Sequence, residues 1–271
     1  ADSVTVLDIS MEKNSEPLKE LLNNKVNVFY VDHHRTGDIP KSNHLTTLIN
    51  TDANTCTSLL INDYLQGKYV HWAIAAAFGD NMNQSAEELA KKVGITKEQQ
   101  QSLKSLGIYI NYNGYGRNIE DLHFPPAELY KSLLAFDDPL TLIADNGSIF
   151  YQLEKAYNED MHKAESASVL ADNSSCKVVS LEDDAWSRRV SGVYGNELAN
   201  RSPDKAHAVL TRNKDNTYTV SVRAPLNNKQ GADEICTQFP TGGGRAGAAG
   251  INNLPEDMLE SFIQVLTQYY E

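Results

Sequence analysis

The chain has 271 residues, which is long enough for two modest domains that each bury a hydrophobic core. Its net charge of −12 argues against a long nucleic acid as partner, because proteins that bind one normally present a basic face to the phosphate backbone. No apolar run reaches the roughly 18–20 residues that cross a bilayer, so the sequence predicts a soluble protein with no membrane partner.

Strands and helices alternate in the first third of the chain. Apolar, β-branched runs predict strands, an alanine-rich run predicts a helix, and Thr51–Asn54 offers residues that could cap the helix that follows. This alternation indicates an α/β domain with a mainly parallel sheet. The predicted elements are strands Val4–Ile9, Lys25–Val31 and Leu45–Ile49 and helices Glu16–Leu22, Thr55–Leu65 and Val70–Phe78.

The rest of the chain begins with helices and ends with a second alternation of strands and helices. Helices are predicted over residues 84–113, 126–135, 139–144, 148–170, 195–200, 231–238 and 255–270, and strands over 177–181, 206–211 and 217–223. We therefore divide the chain into an N-terminal domain over residues 1–150, a linker helix over 151–174 and a smaller C-terminal α/β domain over 175–271.

Carboxylates and histidines follow the ends of the first predicted elements. Asp8 ends the first strand, Asp32-His33-His34 ends the second, and Asp80 ends the alanine-rich helix. Ligands of open α/β sheets bind beyond the carboxyl ends of the strands, and carboxylate with imidazole suits Mn²⁺ or a similar ion. A lone Asp at a strand end is more often a turn former or a helix cap. Two adjacent histidines directly after a buried strand have no obvious packing role, so the triplet Asp32-His33-His34 favours a metal or catalytic site.

A glycine-rich segment near the C-terminus is the second distinctive feature. Gly242, Gly243 and Gly244 could expose backbone N–H groups to an anion, and Arg245 adds a guanidinium suited to phosphate. Arg223, at the end of a predicted strand, could supply a second cation. A hairpin packed tightly on a sheet explains the glycines equally well, and both interpretations stay open.

These motifs occur in one order along the chain: Val6-Leu7-Asp8, Val31-Asp32-His33-His34, Phe78-Gly79-Asp80, Ser221-Val222-Arg223 and Gly242–Gly250. The series resembles the DHH–DHHA1 phosphoesterases over essentially the whole sequence. The resemblance implies an N-terminal DHH domain with a mainly parallel sheet and a C-terminal α/β DHHA1 domain that binds the substrate.

The resemblance also implies a role for each residue. Asp8 would bridge two Mn²⁺ ions, with Mg²⁺ or Co²⁺ as alternative metals, and His33 and Asp80 would be further ligands. Asp32 and His34 would act in catalysis beside the phosphate, where they orient the ligands. Arg223, Gly242, Gly243, Gly244 and Arg245 would hold the substrate.

The sequence departs from the family pattern at two places. Arg245 stands where the family has a histidine after the three glycines. The family's first motif, a His with an Asp-x-Asp pair, should precede Asp8 by some tens of residues, and the sequence from Ala1 does not contain it. We expect the native protein to carry that segment, and we expect a chain that starts at Ala1 to bind Mn²⁺ weakly; the alternative is a form that has lost catalytic activity.

The function predicted from these observations is hydrolysis of short linear nucleotides such as pGpG to mononucleotides. The acidic charge favours a short substrate, and Tyr112 or Tyr115 could stack on a base, although a simple turn is the expected role of that segment. The alternatives are a pyrophosphatase, an exopolyphosphatase, a phosphatase of bisphosphate nucleotides, or a non-catalytic nucleotide-binding protein.

Compartment and assembly are predicted less directly. Cys56, Cys176 and Cys236 form neither a zinc-type Cys-x-x-Cys pair nor a disulfide framework, which suits a reducing cytoplasm. A homodimer is expected from the family resemblance alone.

Overall fold

The computed structural model describes residues 1–271 and divides them into two compact units. Unit 1 comprises Ala1–Gly107 with Asp137–Thr141, and unit 2 comprises Ile108–Phe136 with Leu142–Glu271. Each unit has its own sheet, parallel in the first and mixed in the second, so the predicted α/β fold class is confirmed. The domain boundaries drawn from the sequence stay a prediction. No helix of the protein has both the length and the apolar character that a membrane span requires.

The sheet of unit 1 has three parallel strands in the order β1 (Ser3–Leu7), β2 (Asn27–Asp32) and β3 (Leu45–Ile49). Helix α1 (Ser15–Asn23) connects the first two strands and buries Leu18 and Leu22 in the same cluster as residues of β2. The predicted strands and this helix are therefore confirmed to within a few residues.

Four further helices follow in sequence: α2 (Thr57–Tyr64), α3 (Val70–Gly79), α4 (Asn83–Val93) and α5 (Lys97–Tyr112). Thr96 and Gln99 form a capping box at the start of α5, with each side chain bonded to the other's backbone N–H. The expected cap from Thr51–Asn54 is wrong, because Cys56 is the residue that precedes α2 and no side chain caps that helix.

Helices α3 and α5 approach each other at two glycines. A Cβ atom at Gly107 would lie 1.8 Å from the carbonyl oxygen of Ala75, and one at Gly79 would lie 2.7 Å from the carbonyl oxygen of Gly107. Only glycine allows this separation of the two backbones, and Gly79 directly precedes Asp80. The contact therefore determines where the end of α3 lies.

Unit 2 contains a six-stranded sheet in the order β4-β5-β6-β7-β9-β8, in which only β5 and β6 are parallel. The strands are β4 (Ser168–Asp172), β5 (Cys176–Leu181), β6 (Ala206–Arg212), β7 (Thr217–Arg223), β8 (Gly242–Arg245) and β9 (Ala248–Pro255). The helices are α6 (Pro126–Leu134), α7 (Pro139–Ala144), α8 (Ile149–Ala164), α9 (Ala185–Arg201), α10 (Ala232–Cys236) and α11 (Leu259–Tyr270), of which α7 divides between the two units.

The sheet of unit 2 buries both of its faces. Val190 and Val193 of α9 pack with Val209 on one face, whereas Ile235 of α10 and Phe262 of α11 belong to the core on the other. Side chains along β6 and β7 therefore alternate between a face covered by α9 and a face covered by α10 and α11.

Two predictions for unit 2 are wrong in extent. Helix α8 ends at Ala164, and residues 168–172 form the edge strand β4, because they pair with β5. Helix α9 begins at Ala185 rather than at residue 195. Its start is marked by Asp184, whose carboxylate accepts a hydrogen bond from the backbone N–H of Trp186.

We predict that Gly107→Ala lowers the free energy of unfolding by about 2 kcal/mol, because the added methyl would overlap a backbone carbonyl that cannot move away alone. Urea denaturation measures this change. Gly195→Ala is the matched control, since it also replaces a helical glycine but meets its nearest atom, Cγ of Arg223, only at 3.5 Å. An equal loss in both variants would contradict the role of the close approach.

His207 makes the stability of unit 2 depend on pH. Burial, with help from Lys177 and Lys205, lowers the pKa of His207 from 6.5 to about 4. Between these values the unfolded chain binds more protons, so the free energy of unfolding falls as the pH drops, by about 2 kcal/mol between pH 7 and pH 5. Urea denaturation at both pH values should show a smaller drop in His207→Gln. Equal drops in both proteins would refute this assignment.

Candidate functional site

The parallel pairing of β1 with β2 brings Asp8 beside the Asp-His-His triplet. Leu7 pairs with Val31, and the backbone N–H of Asp8 continues the ladder by donating to the carbonyl of Val31 at 3.0 Å. Asp8 then adopts a positive φ of 61°, a conformation that aspartate tolerates better than most residues. This turn is where the chain leaves the sheet, at the carboxyl edge that the sequence predicted.

His33 is a buried side chain whose ring has a defined orientation. Its Nδ1 lies 2.7 Å from the carbonyl oxygen of Thr55, and because a carbonyl only accepts, Nδ1 carries the proton. The other ring nitrogen, Nε2, lies 3.2 Å from Oδ1 of Asp8. In the neutral imidazole, Nε2 is therefore the nitrogen that could bind a metal beside Asp8, whereas in the protonated ring Nε2 donates a hydrogen bond to Asp8.

Asp32 orients the second histidine in the same way. Its Oδ1 lies 2.7 Å from Nδ1 of His34 and accepts the backbone N–H of His33 at 2.8 Å. Nδ1 of His34 is therefore protonated, and Nε2 of His34 is left as a potential ligand. A carboxylate behind a histidine is the usual arrangement around a protein-bound metal.

The ligand atoms of Asp8, His33 and His34 all lie within 4.8 Å of one another. The hydrogen bond with His33 lowers the pKa of Asp8 to about 2 against the effect of burial, and the hydroxyl of Thr57 donates to Oδ1 of Asp8 at 2.8 Å. One carboxylate with two imidazoles is a donor set for Mn²⁺, Fe²⁺ or Zn²⁺. Asp32 adds a buried oxygen, Oδ2, without a hydrogen-bond partner, and a nearby cation would stabilise it. The residues present thus fit a divalent metal ion.

Asp80 lies at the C-terminal end of α3 and is not one of these three residues. Burial, followed by the charge of Asp80, raises the pKa of the Cys56 thiol to about 11, which places Asp80 within electrostatic reach of the residue that precedes α2. Asp8 contributes to the same shift, so both carboxylates act on one buried thiol. The role of Asp80 as a ligand stays a prediction.

Arg223 lies in unit 2 with most of its guanidinium engaged by the protein. Four of its five N–H donors bond to Oδ1 of Asn196, Oγ of Ser221 and the carbonyls of Val222 and Gly192. Arg223 therefore holds α9 against β7 and retains one N–H for a ligand.

The glycine-rich segment forms a hairpin rather than an open turn. Gly242–Arg245 is strand β8, which pairs with β9 across the two residues Ala246 and Gly247. A Cβ atom would lie 1.7 Å from the carbonyl oxygen of Cys236 at Gly242, and 2.4 Å from Cα of Ala249 at Gly244, where φ is +148°. Of the two interpretations left open by the sequence, close packing on the sheet explains these glycines. Arg245 ends the strand beside the tight connection.

The two tyrosines that could have offered stacking surfaces differ in their exposure. Tyr112 is 0% exposed, and its hydroxyl donates to the buried carboxylate of Asp160, so the expectation that it could stack on a base is wrong. Tyr115 is half-buried and lines a pocket of unit 2. Sequence reasoning missed Thr55 and Thr57, for which the only signal was two polar residues at a helix start.

Comparison with known families identifies the C-terminal part of the chain. Residues 173–271 match the DHHA1 domain, as the sequence resemblance implied. Comparison with curated proteins finds no match.

Several solved structures share the fold of the whole chain. One is a DHH domain from a protein described as a member of a family of ribosomal proteins, with a TM-score of 0.63 and 14% identity over 98% of this chain and 69% of that one. A second is an exopolyphosphatase-related protein from Bacteroides fragilis, with a TM-score of 0.50 and 14% identity over 100% and 72%. A third is RecJ from Thermus thermophilus in complex with Mn²⁺, with a TM-score of 0.54 and 17% identity over 100% and 45%. The resemblance to DHH–DHHA1 phosphoesterases is thereby confirmed at the level of the fold.

We predict that Asp32→Asn lowers the affinity for Mn²⁺ by about 10- to 100-fold, because an amide no longer holds the proton on Nδ1 of His34 by charge. Titration of Mn²⁺ followed by electron paramagnetic resonance measures this change. Asp63→Asn, at an exposed position of α2, is the control. Unchanged affinity in Asp32→Asn would show that Asp32 does not support a metal ligand.

Proposed function

We propose that this chain, with its C-terminal DHHA1 domain and the fold of DHH proteins, is a metal-dependent phosphodiesterase that hydrolyses short linear nucleotides such as pGpG to mononucleotides. The observation that supports the proposal most is the cluster of Asp8, His33 and His34, in which Nδ1 of each histidine is hydrogen-bonded to an oxygen and Nε2 is left as the potential ligand atom.

Asp8 and His33 bind the metal in this proposal, with Asp80 as a further ligand. A divalent ion such as Mn²⁺ would supply an acidified water and would neutralise charge on the phosphoryl oxygens. Thr57 fixes the carboxylate of Asp8, and the carbonyl of Thr55 fixes the ring of His33. Asp32 keeps the proton of His34 on Nδ1, so that Nε2 faces the reaction or serves as another ligand. RecJ was solved with Mn²⁺, which supports a divalent metal for this fold.

Substrate binding is assigned to Arg245 and to the glycines before it. The guanidinium of Arg245 suits a phosphate, and the family resemblance assigns Gly242, Gly243 and Gly244 to the substrate as well, through the backbone of the edge strand β8. Arg223 has one N–H left for a ligand and otherwise positions α9.

A short nucleotide is favoured over a polymer because the chain has 36 acidic and 24 basic residues. A long polyanion would need a continuous basic channel, whereas a dinucleotide needs only a few local contacts. Likeness to an exopolyphosphatase-related protein keeps hydrolysis of pyrophosphate or polyphosphate as the second candidate.

The test is hydrolysis with Mn²⁺ of pGpG, longer oligonucleotides, 3′,5′-bisphosphate adenosine, pyrophosphate and polyphosphate, with products separated by chromatography. We expect pGpG to be cleaved fastest, and we expect His33→Gln to lower that rate by more than about 100-fold, because loss of a ligand should cost more than loss of its supporting partner. His162→Gln removes a histidine that is 84% exposed on α8 and is the matched control.

The outcomes of this test distinguish the proposed function from its alternatives. Release of phosphate from pyrophosphate or polyphosphate alone would support the second candidate. Tight binding of pGpG without turnover, by protein shown to bind Mn²⁺, would contradict the enzymatic proposal and favour a nucleotide-binding protein. A rate that falls equally in His33→Gln and His162→Gln would disprove the assignment of the metal site.

A further inference from the structure

A pocket of about 610 Å³ lies wholly within unit 2, where the β6–β7 hairpin meets α9. Its volume is in the range of small-molecule sites, and its wall combines cations, amides, hydroxyls and one aromatic ring. Neither Arg223 nor any residue of Gly242–Arg245 belongs to the wall. The pocket is thus a different set of residues from those assigned above to metal or substrate.

A β-bulge turns two adjacent amides toward the pocket. The register of β7 with β9 shifts between Tyr218 and Val220, so that both Asn252 and Asn253 stand opposite Thr219. Regular alternation would send one of the two amides to the other face, whereas here both line the pocket. Each amide offers a donor and an acceptor, as the edge of a heterocyclic base does.

Tyr115 supplies the aromatic surface of the pocket. A Cβ atom at Gly192 of α9 would lie 2.2 Å from Cζ of Tyr115, so the ring is seated directly on the helix backbone. A ring held in place in this way can stack on a base without losing conformational freedom.

Two cations of the pocket wall retain N–H donors that could bind an anion. Lys214, in the β6–β7 loop, makes no ion pair. Arg117 donates from Nη2 to Oδ1 of Asn213 at 2.8 Å and lies 3.5 Å from Oδ1 of Asp183, which leaves its Nε and Nη1 donors for a ligand.

The other charged groups of the pocket are already satisfied. Arg188 bonds to both carboxylate oxygens of Asp121 and to Asp183. Asp215 is the only acid in the wall, and its Oδ1 accepts the backbone N–H and the hydroxyl of Thr217 in its own loop. Asp215 keeps its negative charge and lies within electrostatic reach of Arg117, so the wall sets one acid against the two cations Arg117 and Lys214.

Thr211 gives an independent sign of a ligand. It lines the pocket, it is 1% exposed, and its Oγ1 has no hydrogen-bond partner. A buried hydroxyl without a partner is unfavourable, and an oxygen of a bound molecule would satisfy it. The neighbouring Thr219, which pairs with it in register, already donates to the carbonyl of Asn252 at 3.1 Å.

From these observations we infer that the pocket binds a nucleoside monophosphate. Tyr115 with Asn252 and Asn253 receives the base, Lys214 and Arg117 bind the phosphate, and Thr211 bonds to an oxygen of the ligand. This site does not depend on the proposed function, because no residue of the Asp8 cluster takes part in it.

The test is equilibrium binding of AMP, adenosine and inorganic phosphate to the full chain in the presence of EDTA, measured by calorimetry. We expect AMP to bind more tightly than either fragment. We expect Lys214→Gln to weaken AMP binding by about tenfold and Thr211→Val by about threefold to tenfold. Lys155→Gln, at an exposed position of α8, is the charge-matched control.

Thr211→Val also separates binding from folding. Valine has nearly the same shape and removes an unsatisfied hydroxyl, so the melting temperature should stay the same or rise while affinity falls. His33→Gln should bind AMP as the unmodified chain does. The inference is overturned if AMP does not bind, if neither pocket variant changes its affinity, if His33→Gln abolishes binding, or if phosphate alone binds as tightly as AMP.

Discussion

The alignment of β1 with β2 is the constraint on which the candidate metal site depends. Because Leu7 pairs with Val31 in parallel, the residues after each strand emerge at one edge of the sheet, and the next side chains along the chain are Asp8 and Asp32. A shift of one residue in this register would turn the triplet's side chains to the other face. The buried pattern of β2, from Val28 to Asp32, resists that shift, so core packing and site geometry are determined together.

Burial of Asp32 is the costly part of this arrangement. A fully buried carboxylate must be compensated, and Oδ1 receives two hydrogen bonds while Oδ2 receives none. Both donors to Oδ1 come from the two residues that follow Asp32. One carboxylate therefore orients the backbone of His33 and the ring of His34. Because Oδ2 has no hydrogen-bond partner, the triplet is unfavourable as core packing alone, whereas a nearby cation would stabilise it.

The sequence predicted this edge of the sheet well because its determinants are local. Apolar runs define the strands, and polar residues directly after them mark the site. The predictions that went wrong concern contacts between distant segments. Nothing within Gly242–Arg245 reveals that Cys236 and Ala249 lie against it, and the edge strand Ser168–Asp172 exists only through pairing with β5. The wall of the unit 2 pocket was missed for the same reason, since Tyr115, Thr211 and Asn252 are far apart in the chain.

In this acidic chain many charged side chains form ion pairs, and the cations do not form one extended basic surface. Many cations of unit 2 are committed to carboxylates, including Arg188 with Asp121, Arg189 with Asp160, Lys205 with Asp172, Arg201 with Glu197 and Arg212 with Glu256. The buried pair of Arg189 and Asp160 joins α9 to α8 inside the unit, where neither group is available to a ligand. A phosphate can therefore be recognised only where a cation keeps spare donors. Such places are small, which is why both ligands proposed for this protein are short nucleotides and neither is a polymer.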